Sequence, residues 1–215
     1  MSNPLSATQV ASFQRDGFLV VEDVLNTDEV SALAARADLI AAGEADHIPD
    51  ANVQLEPAFL SGDRKIENRV LSVRKLYNIA VHDPVMWGHA TNPKIVDIIA
   101  ALLGTDDLKM YGDQLFMKAP EVGRAKAWHQ DSAAWRNILP MDLVSSWTAI
   151  DAATLDNGCL HFAPGTHRWG MLSGHGCPED AAVQAGARQF VSGSRLSRVA
   201  PAQGMLSSRA TDHRA

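Results

Sequence analysis

The texture of the chain changes at Gly104, and that change limits the folds open to it. Before Gly104 apolar residues recur at helical spacing; after it they come in short, strand-length runs separated by turn residues. Helices first and strands later predict an α+β protein, its helices packed outside an antiparallel sandwich or barrel. Ser6 to Phe13 reads as a short helix, with Ser6 as N-cap, Gln9 completing a capping box, and Gly17 as the stop. Phe18-Leu19-Val20-Val21 then reads as a strand. Thr27 starts a second helix, with Asp28 and Glu29 in its first turn and Val30, Leu33, Ala34, Ala37 and Ile40 at helical spacing. The stretch 43–68 is rich in Pro, Gly, Asp and Glu and reads as a surface loop. Arg69 to Leu76 is expected to form a strand or a short helix. Asp83-Pro84 opens a helix around Trp87, and Pro93 opens another that ends at Gly104.

Four strands are expected in the second half: Leu108–Met117, Trp128–Trp135, Leu143–Ile150 and Cys159–Ala163. The last is entered through Asp156-Asn157-Gly158 and left through Pro164-Gly165, both turn signals. From Arg188 to Ala215 every basic residue is Arg and large apolar residues are sparse. That segment reads either as a disordered tail or as the product of a damaged reading frame. The organisation expected is one domain: a helical part over 1–104, a sheet core over 105–187 and an atypical tail over 188–215.

Composition excludes several classes. A net charge of −6 without any basic run argues against a nucleic-acid surface. The longest apolar runs are too short to span a bilayer, and Met1-Ser2-Asn3-Pro4-Leu5-Ser6 lacks a signal-peptide pattern. The two cysteines, Cys159 and Cys177, form no C-x-x-C pair, so a reducing cytoplasm is the expected compartment.

The chemistry centres on Trp128-His129-Gln130-Asp131. On a strand, residues two apart share a face, so His129 and Asp131 are expected to aim an imidazole and a carboxylate at one point. With one further His they would form the facial triad that suits Fe(II) and leaves coordination positions open. Trp128 and Trp135 flank the pair as candidate pocket walls. The competing reading is a strand His hydrogen-bonded to a nearby Asp.

Four blocks of sequence resemble the phytanoyl-CoA dioxygenase family of Fe(II)/2-oxoglutarate-dependent oxygenases. They are Phe13-Gln14-Arg15-Asp16-Gly17-Phe18-Leu19-Val20 with Asp28-Glu29-Val30; Tyr111 through Pro120; Trp128-His129-Gln130-Asp131 with Trp147-Thr148-Ala149-Ile150-Asp151; and Asp156-Asn157-Gly158-Cys159-Leu160 running into Pro164-Gly165-Thr166-His167-Arg168. The resemblance implies a double-stranded β-helix (a jelly roll, cupin-like) with N-terminal helices packed outside it and C-terminal strands incomplete. It carries His129 and Asp131 over as iron ligands and suggests that Gln114, Trp147 and Lys75 contact 2-oxoglutarate. Relatives place the distal iron-binding His in a His-Gly-Ser strand, followed by an Arg that clamps the co-substrate. Here His213 lies near the expected place, without that motif. Members that halogenate lack the carboxylate, so Asp131 points to hydroxylation.

Other residues have plainer expected roles. His161 reads as a satisfied core His or a pocket-lining one, and His167 as a turn-packing residue with substrate contact as the alternative. His175 is a remote substitute ligand, and His47, His82 and His89 are ordinary. Trp147 is a packing residue first, Lys75 equally a solvated lysine, and Cys159 a small buried hydrophobe. Gln114 is expected to face the jelly-roll interior, where a buried amide needs a polar partner.

The function expected is a dioxygenase that hydroxylates a small organic substrate with O₂ while 2-oxoglutarate becomes succinate. The alternatives are a catalytically defective member serving as a small-molecule-binding scaffold or an inactive truncation product, and a cupin-like enzyme using another metal.

Overall fold

The computed structural model describes residues 4–123, 128–135, 138 and 140–170, together with the backbone of two later strands at 188–189 and 196–201. The chain packs as two compact units. One comprises Met1–Leu25, Lys94–Leu108 and Ala125–Ala215; the other comprises Asn26–Pro93 and Lys109–Arg124.

The first unit begins with helix α1 (Ala7–Asp16), and its start is closed as the sequence predicts. Gln9 N–H donates to Ser6 Oγ at 3.2 Å and Ser6 N–H donates to Gln9 Oε1 at 2.9 Å. This satisfies two amides that a helix start leaves orphaned. Gly17 ends the helix in the left-handed conformation, φ +80°. Strand β1 (Leu19–Glu22) follows, and helix α5 (Pro93–Leu103) buries Ile95 and Ile98. Strand β5 (Val144–Thr148) and strand β1 flank β8 (Leu196–Pro201) in an antiparallel three-stranded sheet ordered β1-β8-β5. Strand β6 (His161–Phe162) pairs with β7 (Arg188–Gln189), also antiparallel. The rings of Phe18 and Phe162 meet at 5.2 Å, a tilted aromatic contact at the centre of this unit's core.

Gly17 also lies where no other residue fits. A Cβ there would collide with the imidazole of His167. That imidazole donates through Nε2 to Gln14 O at 3.0 Å, beside an Arg168 bond to the same carbonyl at 2.9 Å. Gly17→Ala is therefore expected to destabilise the chain by at least ~1 kcal/mol from the left-handed backbone alone, with the collision added. A lowered melting temperature checks this; an unchanged one would show that the turn relaxes freely. The bonds to Gln14 also give His167 the turn-packing role expected of it.

In the second unit, helix α2 (Thr27–Ala42) is capped by Asn26, whose side chain accepts from Glu29 N–H while Glu29 accepts from Asn26 N–H. Its buried stripe is Val30, Leu33, Ala37, Ile40 and Ala41. Strands β2 (Val53–Leu55), β3 (Val73–Tyr77) and β4 (Gln114–Phe116) form an antiparallel sheet in that order. Short helix α3 (Pro57–Leu60) follows β2, and α4 (Pro84–Ala90) begins at Asp83-Pro84 as predicted. Among the described residues no helix is long and apolar enough to cross a membrane.

Four expectations change. The stretch 43–68 holds β2 and α3, and a loop-like composition hides β2 because its order comes from pairing with β3. The strand expected over Leu108–Met117 shrinks to Gln114–Phe116. Its partner β3 ends at Tyr77, and Asn78, after donating its N–H to Asp113 O at 2.9 Å, turns away at φ +50°. Trp128–Trp135 is not a strand: Asp131–Ala133 forms a 3₁₀ turn whose amides bond locally, Ala133 N–H to Gln130 O and Ala134 N–H to Asp131 O. Finally, 196–201 lies between two strands although its composition predicts no strand, since backbone ladders on both sides can hold a segment with few large side chains.

Candidate metal and co-substrate site

His129 and Asp131 come together without the strand that was expected to align them. Gln130 is extended (φ −103°, ψ 132°), and that single extended residue already alternates its neighbours. His129 and Asp131 leave one side and Gln130 the other. His129 Nε2 and Asp131 Oδ1 are 3.4 Å apart, and both side chains are less than one-fifth exposed. Two donors bound at about 2.1 Å and at right angles on one octahedral ion stand about 3 Å apart. The observed separation is close to that value and longer than a well-made hydrogen bond. The N and O donor set therefore fits two positions of a ferrous site.

Gln130 anchors this arm. It is buried, and its amide donates to Gly170 O at 3.0 Å and Thr166 O at 3.4 Å. Thr166 is fully buried and donates in turn to Ala163 O at 2.9 Å. The Pro164-Gly165-Thr166-His167 turn thus acts as the bracket that holds the His-Gln-Asp segment. Gly165 N–H donates to Asp16 O at 2.8 Å, which ties the bracket to the end of α1.

Around the arm, Trp128 meets His161 edge to face with ring centroids 6.5 Å apart. His161 is buried on β6, and burial pushes its pKa down, which keeps the imidazole neutral near pH 7. Its Nε2 and Ser132 Oγ are both shielded from solvent and make no hydrogen bond among the described residues. Of the two roles expected for His161, the pocket-lining one agrees with this, since among the described residues Nε2 finds no partner. Trp147 is half-buried on β5, opposite Arg198 in register. Cys159 is buried, as expected of a small hydrophobe.

Lys75 and Gln114 belong to the second unit and share one face of its sheet. Lys75 pairs with Phe116 and with Gln54, and Gln114 pairs with Tyr77. The Lys75 ammonium lies 5.0 Å from the Tyr77 ring centroid and 6.0 Å from that of Phe116. Gln114 is exposed rather than interior, so water satisfies its amide and the burial argument for it does not apply. Asp113 sets the start of β4: its carboxylate accepts from Ile79 N–H at 3.0 Å and Ala80 N–H at 3.1 Å.

His213 and His175 lie outside the described residues. Among the described residues no group of three His, Cys, Asp or Glu side chains converges. Sequence reasoning overlooked the anchoring role of Gln130 and the buried hydroxyl of Ser132. The one signal available was a Gln placed between two candidate ligands, where extended backbone turns it the other way.

The profile described as "Phytanoyl-CoA dioxygenase (PhyH)" matches residues 13–214. An ectoine dioxygenase of Sphingopyxis alaskensis is 31% identical over 181 residues, covering 82% of this chain and 55% of that protein. The peroxisomal phytanoyl-CoA dioxygenase of Mus musculus is 25% identical over 181 residues, covering 83% and 52%. The chain thus spans about half the length of the curated relatives it matches. The crystal structure of EctD from S. alaskensis in its apoform superposes with a TM-score of 0.83 at 25% identity, covering 98% of this chain and 73% of that one. The EctD structure with 2-oxoglutarate and 5-hydroxyectoine gives 0.81 at 26% identity, covering 98% and 72%. The fold is that of the cupin-type, double-stranded β-helix oxygenases, with helices beside antiparallel sheets. With its profile match running almost end to end, the chain belongs to the phytanoyl-CoA dioxygenase family.

Proposed function

We propose that this chain binds ferrous iron and 2-oxoglutarate and hydroxylates a C–H bond of a small organic molecule. The observation that carries this reading is the convergence of His129 and Asp131 at 3.4 Å in a shielded, anchored segment. Family membership adds the chemistry, and the EctD structure that contains 2-oxoglutarate and 5-hydroxyectoine supplies a precedent for the reaction class. When bound, iron and 2-oxoglutarate supply the oxidation: substrate, O₂ and 2-oxoglutarate become hydroxylated product, succinate and CO₂. The protein's own residues hold, orient and exclude water. His129 and Asp131 would give two ligands and His213 the third, while Trp147 would contact the co-substrate. Retention of Asp131 keeps a carboxylate where a halogenating enzyme needs an open position. Ectoine is the first substrate to try, because it is the one named for a relative at 31% identity.

Anaerobic titration of the Fe(II)-loaded chain with 2-oxoglutarate tests the reading. Bidentate chelation is expected to produce a charge-transfer band in the visible. If millimolar 2-oxoglutarate yields no band, the chain is a small-molecule-binding scaffold and not a dioxygenase.

A further inference from the structure

His161 and Ser132 break a rule that native interiors otherwise keep. Buried polar atoms find partners, and exceptions cluster where a ligand or water completes the bonding. His161 is 6% exposed and Ser132 is 2% exposed, yet His161 Nε2 and Ser132 Oγ have no hydrogen-bond partner among the described residues. Their placement is not scattered. Ser132 directly follows Asp131, and the His161 ring packs on Trp128, which directly precedes His129. The two residues therefore stand next to the pair His129 and Asp131, one beside each end of the segment. His167 Nδ1 is also shielded and unbonded, but its case differs. That ring has a structural task already, packed on Gly17 and donating to Gln14 O.

We infer that His161 and Ser132 are substrate-contacting residues that exchange hydrogen bonds with a polar group of a compact substrate held beside His129 and Asp131. This rests on the reading of those two residues as the metal arm. The imidazole presents either one N–H or one lone pair, and the hydroxyl can donate and accept. Both suit a hydroxyl, a carbonyl, an amide or a ring N–H. A hydrocarbon chain would leave both atoms unpaired, at a cost in binding that an apolar pocket wall avoids. The two residues thus select compact polar substrates over long acyl chains and fix which C–H bond faces the metal.

The test compares His161→Phe, His161→Gln and Ser132→Ala with the unaltered full chain. Without ligand, His161→Phe is expected to melt at or above the parent temperature, because a ring of similar volume removes an unpaired atom and loses no bond. Ectoine serves as the compact polar probe and decanoyl-CoA as the apolar-chain probe, with binding read by thermal shift and tryptophan fluorescence. Ectoine affinity should fall about tenfold in His161→Phe and in Ser132→Ala, the size of one lost hydrogen bond. It should recover most of the way in His161→Gln, and decanoyl-CoA should bind no better to the parent than to His161→Phe. A His161→Phe chain that melts well below the parent would make His161 a satisfied structural residue and overturn the inference. So would failure of ectoine to bind the parent, or equal binding to the parent and both polar-to-apolar variants. These readouts need no iron, so loss of the charge-transfer band alone would remove the oxygenase reading while leaving the ligand contacts measurable.

Discussion

His129→Ala is expected to end succinate release from 2-oxoglutarate, with a loss of at least about 100-fold. Loss of groups that merely support a ligand already costs 10–100-fold in metal affinity or activity, and removing a ligand itself should exceed that. The companion change, Asp131→Ala, should empty the iron site with little effect on folding. Asp131 is partly exposed, and its 3.4 Å approach to His129 is too long to hold the segment in place. The bonds that hold the segment come from Gln130 instead. Metal analysis beside a melting curve separates the two effects. An Asp131→Ala chain that keeps its full iron, or a His129→Ala chain that releases succinate at the parent rate, would remove that residue from the metal.

The largest stability effect is expected at Asp83. Its side chain is 0% exposed, yet it carries a charge. One carboxylate oxygen accepts from Val85 N–H at 2.9 Å and Met86 N–H at 3.1 Å, closing the start of α4. The other meets the Arg36 guanidinium and His47 Nε2, the latter at 2.9 Å. Asp83→Ala removes the helix cap and leaves Arg36 without its buried counter-charge. Breaking a buried pair on one side costs about 3–5 kcal/mol. Arg36 is one-quarter exposed, so water can reach it, and the lower end, roughly 3 kcal/mol, is expected. Denaturant unfolding checks this. Asp83→Asn keeps a good cap and should lose less; equal losses would mean that the charge, and not the cap, carries the effect.

The same residue sets a pH dependence. Burial alone would raise the Asp83 pKa, but hydrogen bonds from His47, Met86 N–H and Arg36 outweigh it and hold the carboxyl below its usual range. A carboxyl lowered in the folded state contributes stability that is fully present above its unfolded value, about 4. That contribution disappears as pH falls through the lower folded value. Acid unfolding should therefore be steeper in the parent than in Asp83→Asn.

Much of the local architecture was legible before any coordinates. Ser6 with Gln9, Asp83 with Pro84, and the glycines at 17 and 104 all mark helix ends where the sequence places them, because capping is decided within four residues. The closeness of His129 and Asp131 was also legible, though for a partly wrong reason. A strand was expected to align His129 and Asp131; one extended residue followed by a 3₁₀ turn does so instead. What hid this is that the Gln130 side chain, which anchors the segment, bonds to the buried turn at Thr166, which is remote in sequence.

By itself, then, the sequence determined the order of elements, the helix boundaries and the donor types of the site, since each depends on neighbours a few bonds away. Tertiary structure decided which strands exist at β2 and β8, where the anchoring bonds of Gln130 go, and that His161 and Ser132 are left with polar atoms unpaired. Those outcomes depend on partners tens of residues off, whose approach is governed by packing and by the closure of long loops rather than by local preference.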